Sequence, residues 1–327
     1  MAMQPLDDQS LSAATGQDGI NIGVDVSKIE FKQLSIIDSD GAPNIDVVGS
    51  PNSTYDQRAA LVFAQTPNSP IASPSITAKS GGTATSFNLN AAIDTDAGTG
   101  TNGAFANIAL SFGNVDEFVI SPLSIYAASD STGVLSSING STYTRGSIFN
   151  SNATTATIKT GVKELLRLED GLNIKFLASN RPQMNIQLGA APQGKMIRFG
   201  GAIDSICGDG CNMMLVSDYD ADNNPIGAGF DFSLKATNTT GFGLSKFYAG
   251  IEGTSGLDNG AFVFGNDGKS DDVDVKLNNI QLGGEIPEIP SLTDSAYRFN
   301  GLQNSSIGNI GFTKASVTDL KMRVSGM

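Results

Sequence analysis

The chain of 327 residues carries 20 Lys+Arg against 33 Asp+Glu, a net charge of −13, with 38 Gly, two Cys and neither His nor Trp. Without imidazole it cannot assemble a Ser-His-Asp or Cys-His nucleophile, a facial triad or a His-ligated zinc site. Its pI of 4.3 and 7 Arg argue against nucleic acid, which needs a basic face, and disfavour an anionic membrane for the same reason. A hydrophobic share of 39% and a charged share of 16%, both low, disfavour a helical bundle and suit short strands joined by tight turns.

Residues 6–19, opening Leu6-Asp7-Asp8, read as a short helical turn with its acids at the positive end and Gly16 at its stop. The period then changes. Ile20, Ile22, Val24 and Val26 alternate with Asn21, Gly23 and Asp25, the pattern of a half-buried strand. Lys28 to Ile37 continues in that style and stops at Asp38-Ser39-Asp40-Gly41, a turn. From Pro43 to Ile93 stand five of the 12 prolines, and Lys79 is the only charge between Arg58 and Asp94. Such a stretch predicts long loops or edge strands.

Short apolar runs follow at Phe105–Phe112, Glu117–Tyr126 and Ser147–Phe149. Thr160–Leu168 is the helix candidate, with Val162, Leu165, Leu166 and Leu168 inward and Lys163, Glu164 and Arg167 outward. Asp170-Gly171-Leu172-Asn173-Ile174 then repeats Asp18-Gly19-Ile20-Asn21-Ile22, and Asn185-Ile186-Gln187-Leu188-Gly189 recurs as Asn279-Ile280-Gln281-Leu282-Gly283. The unequal spacings favour two related β units over a fixed-period array. Strands are dense beyond: Met184–Leu188, Met196–Phe199, Met213–Val216, Gly229–Leu234, Gly243–Ile251, Phe262–Phe264, Val273–Leu282 and Val317–Val324.

The expected fold is all-β: an antiparallel sandwich or jelly-roll-like body with long Pro/Gly/Ser loops and at most one or two short helices. A β-solenoid is the alternative. Along the chain, 1–42 forms an N-terminal turn and strands, 43–93 a proline-rich, low-charge loop or insertion, and 94–327 the main β-rich body, able to be continuous with 1–42.

Three sets of residues invite a functional reading. Cys207 and Cys211, separated by Gly208-Asp209-Gly210, are spaced to close a disulfide that pins one turn, and too few other ligands exist for a metal. Asp218, Asp220 and Asp222 alternate along one acidic loop, a spacing that turns carboxylates toward one hard cation, so Ca2+ is the candidate cofactor there. The loop lacks the sixth-position Gly and twelfth-position Glu of the helix-loop-helix calcium site, and a solvated hairpin turn is the competing reading. The third set is the strand Ile20, Ile22, Val24 and Val26, matched near the other end by Leu320, Met322 and Val324. An alternating strand near a terminus either lies in an intramolecular sheet or adds to an exposed edge of the next subunit.

No apolar run approaches the roughly 18 residues of a membrane span. Met1-Ala2-Met3 reads as a start placed before a mature secreted chain whose signal peptide has been removed. The phrase Leu6-Asp7-Asp8-Gln9-Ser10-Leu11-Ser12-Ala13-Ala14-Thr15-Gly16-Gln17-Asp18-Gly19-Ile20 resembles the mature start of a group of secreted gammaproteobacterial surface proteins that includes pilus-system subunits. The likeness covers about 15 residues and fits the strand that follows. It implies an exported surface or filament protein and supplies no catalytic residues.

The expected function is therefore a secreted structural or adhesive surface protein, a subunit of a filament or pilus-like assembly. Its partners would be copies of itself or other surface subunits, with no nucleic acid. Two rivals are a β-structured secreted hydrolase acting on carbohydrate through paired carboxylates and a viral fibre or surface-layer subunit.

Overall fold

The computed structural model describes residues 19–38, 57–68, 72–98, 103–129, 134, 148–150, 157–220, 224–253, 260–284, 298–299, 302–303 and 305–324. Its first strands are β1 (Ile20–Val26), β2 (Ile29–Glu30), β3 (Gln33–Asp38), β4 (Ala59–Ala64), β5 (Ser75–Ser80), β6 (Thr83–Thr85), β7 (Phe87–Asp96) and β8 (Phe105–Phe112). There follow β9 (Glu117–Ile120), β10 (Leu123–Ser129), β11 (Val162–Leu168), β12 (Leu172–Phe176), β13 (Gln183–Gly189), β14 (Ile197–Gly200), β15 (Ala202–Tyr219) and β16 (Pro225–Ala236). The last are β17 (Phe242–Gly243), β18 (Phe247–Glu252), β19 (Ala261–Asn266), β20 (Val273–Gly284), β21 (Arg298–Phe299), β22 (Leu302–Gln303), β23 (Ser305–Ala315) and β24 (Lys321–Val324).

The chain is all-β, in two large antiparallel sheets that do not close into a barrel, an arrangement consistent with a sandwich. The first sheet has eight strands in the order β1-β7-β8-β13-β14-β18-β19-β24. The second has 14, running β2-β5-β9-β12-β15-β11-β10-β4-β3 with β16, β20 and β23 branching from β15. The solenoid alternative falls, because its stacked coils need parallel ladders and these ladders are antiparallel.

Register shows why the first sheet has two unlike faces. Residues paired across a ladder share a face. The pairing Ile20, Ile93, Ile108, Ile186, Ile197, Ala249, Phe264, Met322 runs an apolar row through all eight strands. One residue on, Asn21, Ala92, Ala109, Asn185, Arg198, Tyr248, Gly265 and Lys321 make a polar row on the reverse. The apolar face meets the second sheet where Phe118 of β9 packs against Phe87 and Phe112 of the first sheet, at ring separations of 5.7 and 5.2 Å. Ala78 and Val115 close that cluster.

In the second sheet, Leu123, Leu168, Met213 and Phe230 form a cross-strand row on the side that also holds both cysteines. On the opposite side of β4, β10 and β11, Val62, Tyr126 and Val162 are covered by Val134, Ile148 and Phe149. Each such aliphatic or aromatic side chain contributes about 1.5–3 kcal/mol by leaving water. A strand buried on both faces reads as a continuous apolar run. Ala59–Ala64, buried on one face and mostly half-buried on the other, approaches that case and is uninterrupted by charge, and it corrects the expectation of loops or edge strands over 43–93: β4 is internal, between β3 and β10. Pro67 and Pro74 lie outside the strands, flanking β4 and β5. β1 of the 1–42 segment pairs with β7, and β7 with β8, so both sheets draw on all three parts of the chain.

The helix expected at 160–168 is instead β11. A register shift opposite Ile125 and Tyr126 leaves Leu165 as an extra, exposed residue, so Ile125 faces Leu166 while Tyr126 faces Glu164. Residues three apart in an unbroken strand point to opposite faces; this bulge brings Glu164 and Arg167 to the same one. Both are almost fully buried. Arg167 donates from Nε to Glu164 Oε1 at 2.9 Å and from Nη2 to Oε2 at 2.8 Å. Glu164 also accepts from the Ser124 and Tyr219 hydroxyls. Burial opposes the Arg167 charge, but the hydrogen bonds and charge of Glu164 outweigh it and raise the guanidinium above its ordinary value. Burial, with Glu164 second, holds the neighbouring Tyr126 phenol well above the ordinary tyrosine range. The residues expected outward are thus the paired charges of the core. The helical turn expected at 6–19 lies outside the described residues except for Gly19.

The repeated Asp-Gly motif has a structural meaning. Gly19 and Gly171 both adopt left-handed φ, +76° and +77°, as the chain enters β1 and β12. A Cβ at either would stand 2.4 or 2.1 Å from a neighbouring strand's carbonyl oxygen, Ile93 O or Ile120 O. Only Gly satisfies both demands.

Candidate functional site

Cys207 and Cys211 are joined, with Cα atoms 5.3 Å apart. β15 pairs Ile206 with Leu234 and Cys211 with Phe232, so four residues bulge from the ladder opposite the single Ser233. The disulfide clips the base of this excursion, and both half-cystines are buried in the core. The expected pinned turn is therefore a bulge within an 18-residue strand.

The acidic loop joins β15 to β16. Asp218 is exposed on the strand, its Oδ1 accepting from Tyr219 N at 2.9 Å. Asp220 closes the turn: its two carboxylate oxygens accept from the backbone and side-chain nitrogens of Asn224, at 2.7 and 3.0 Å. Asp222 lies outside the described residues. Among the described residues no group of three His, Cys, Asp or Glu side chains is arranged to hold a metal.

A polar cleft of about 450 Å3 opens beside the disulfide bulge, lined by Asp209, Asp231, Lys235, Asp274, Lys276 and Asn279 among others. Two of its carboxylates, Asp231 and Asp274, are engaged locally. Asn279 Nδ2 donates to Asp231 at 2.6 Å, and Asp274 accepts from Lys314 N at 2.9 Å and Thr237 Oγ1 at 3.1 Å. The Lys314 amide, then the Thr237 hydroxyl, hold Asp274 below its ordinary value.

Exposed apolar side chains line the edges of the first sheet. The two edge strands are β1 and β24, the first and last strands described. Among the described residues β1 pairs with β7 alone and β24 with β19 alone. β1 runs seven residues in unbroken register, with Ile20 at 62%, Ile22 at 43% and Val24 at 39% exposure. Met322 and Val324 on β24 are 50% and 57% exposed. Folded proteins blunt such edges with Lys, Pro or a bulge, and β1 has none of the three.

The polar side of these edges is charged, with opposite sign. β1 presents Asp25, whose Oδ1 accepts from Asn88 at 2.9 Å. β24 presents Lys321 and Arg323. Lys321 Nζ lies 2.5 Å from Glu252 Oε2 on β18, and that hydrogen bond lowers the Glu252 pKa from its ordinary value. Sequence reading found both alternating strands. The intramolecular-sheet reading agrees with their place in one sheet, but the sequence did not reveal that they are its opposite borders, because six other strands, drawn from the whole chain, lie between them. Apolar exposure recurs on the second sheet at Leu34 and Ile36 of the edge strand β3 and at Ile310 and Phe312 of β23.

Neither a protein-family model, a curated protein nor a solved structure matches the chain.

Proposed function

We propose that the chain is an exported structural subunit that builds a filament or surface layer from copies of itself. The observation that carries this reading is β1: a long, unbulged edge strand of a large sheet with three exposed aliphatic side chains. Exposed contiguous apolar surface marks an interaction site, and a free sheet edge adds main-chain hydrogen bonds to it. The buried disulfide supports an oxidising compartment.

Electron microscopy and sedimentation of the purified chain over rising concentration test the proposal. Filaments or sheets that grow with concentration are expected. A particle that stays monomeric throughout overturns it.

A further inference from the structure

Resting on that proposed role, we infer that copies join head to tail, the β1 edge of one copy pairing with the β24 edge of the next. Strand parity is the first argument. The first sheet has an even number of strands in antiparallel alternation, so β1 and β24 run in opposite directions. A second copy in the same orientation, placed beside β24, therefore offers a β1 antiparallel to it. The same placement keeps the apolar faces of the two copies on one side, so the row from Ile20 to Met322 continues into the neighbour.

Register is the second argument. Setting Val24 opposite Met322 places Ile22 opposite Val324 and Asp25 opposite Lys321, aliphatic against aliphatic and acid against base. A two-fold pairing of β24 with another β24 sets Lys321 and Arg323 against their own kind instead, which costs affinity. The joint is heterologous, uses different surfaces on each copy and leaves a free edge at both ends. It propagates without limit unless its rotation closes a ring.

Two charge variants of the full chain test the joint, both at exposed positions. In Asp25→Lys a base at position 25 faces Lys321, and in Lys321→Asp an acid at position 321 faces Asp25, so each variant alone should associate about five- to tenfold more weakly than the wild type. Mixed one to one, position 25 of each variant meets the opposite charge at position 321 of the other, and association should return as an alternating copolymer. A zero-length carbodiimide supplies the contact. Seven inter-strand steps of about 4.8 Å, about 34 Å across the sheet, and four residues along β1 separate Asp25 from Lys321 within one copy, so an amide between them joins two copies. The Lys321–Glu252 pair should cross-link inside each copy and serve as the internal control.

Recovery in the mixture together with an Asp25–Lys321 cross-link between light- and heavy-isotope chains is the expected result. If the variants assemble as the wild type does, or the mixture behaves as its components do, the edge pairing is overturned while the filament reading stands. Recovery and cross-linking accompanied only by dimers or closed rings in micrographs keep the pairing and overturn the filament. A wild-type chain that never associates overturns both.

Discussion

Replacing Glu164 by Leu should destabilise the fold far more than an exposed strand substitution does, and replacing Arg167 by Met at the same time should recover most of the loss. Glu164 is 3% exposed and Arg167 1%. They share two hydrogen bonds, and Glu164 accepts two more from Ser124 and Tyr219. Removing one member of a buried pair leaves an uncompensated charge and costs about 3–5 kcal/mol, whereas replacing both by apolar groups of similar volume is often neutral. Against a typical stability of about 5–15 kcal/mol, the single change consumes about a fifth or more. The Arg167→Met change alone leaves the carboxylate, with its two hydroxyl donors, as the buried charge and should cost a comparable amount. Urea denaturation of the wild type, the two single variants and the double variant closes the cycle. Additive losses would refute the reasoning, and so would a Glu164→Leu midpoint indistinguishable from wild type, since an outward-facing Glu164 would behave that way.

Three further outcomes follow from local geometry. Gly171→Ala should cost about 2 kcal/mol or more, because its φ is +77° and its Cβ would press on Ile120 O; Gly81→Ala, with φ +54° and open space, should cost visibly less in the same melt. The double variant Cys207→Ser, Cys211→Ser should lose about 2 kcal/mol in the chain-entropy account of a short loop, and an unchanged urea midpoint would contradict it. Glu252, whose folded pKa is lowered chiefly by the Lys321 hydrogen bond, contributes fully above the ordinary Glu range and loses its contribution as pH falls through the folded value. The amides of 321–324 should therefore exchange relatively faster on acidification, after correction for intrinsic rates, and slower exchange would refute the sign.

Local signals in the sequence were legible where apolar residues alternate along a strand, although β1, expected half-buried, is exposed on both faces except at Val26. The alternation Ile20, Ile22, Val24, Val26 marked β1, and Phe105–Phe112 marked β8 with its true bounds. The Cys-Gly-Asp-Gly-Cys spacing marked the disulfide. Reading failed where the period was broken or masked. The bulge at Leu165 inserts one residue and converts a two-residue alternation into an apparent helical one, reversing the orientation of Glu164 and Arg167. β4 is buried on one face and mostly half-buried on the other, so its sequence carries no polar alternation, while the prolines around it suggested loops. β6 and most of β7 are Thr-, Asn- and Ala-rich, and carry too little hydrophobic contrast to stand out. The joining of distant strands into one sheet with β1 and β24 as its borders depends on pairings separated by tens to hundreds of residues. No local pattern encodes them.

Hydrogen–deuterium exchange on the full chain, compared between dilute and assembled states, tests the edge-to-edge account most directly. The account predicts that amides of 20–26 and 321–324 gain protection together on assembly, while those of β3, an apolar edge of the other sheet, do not. Protection that appears on β3 or β23 while β1 and β24 continue to exchange as in the monomer would contradict it.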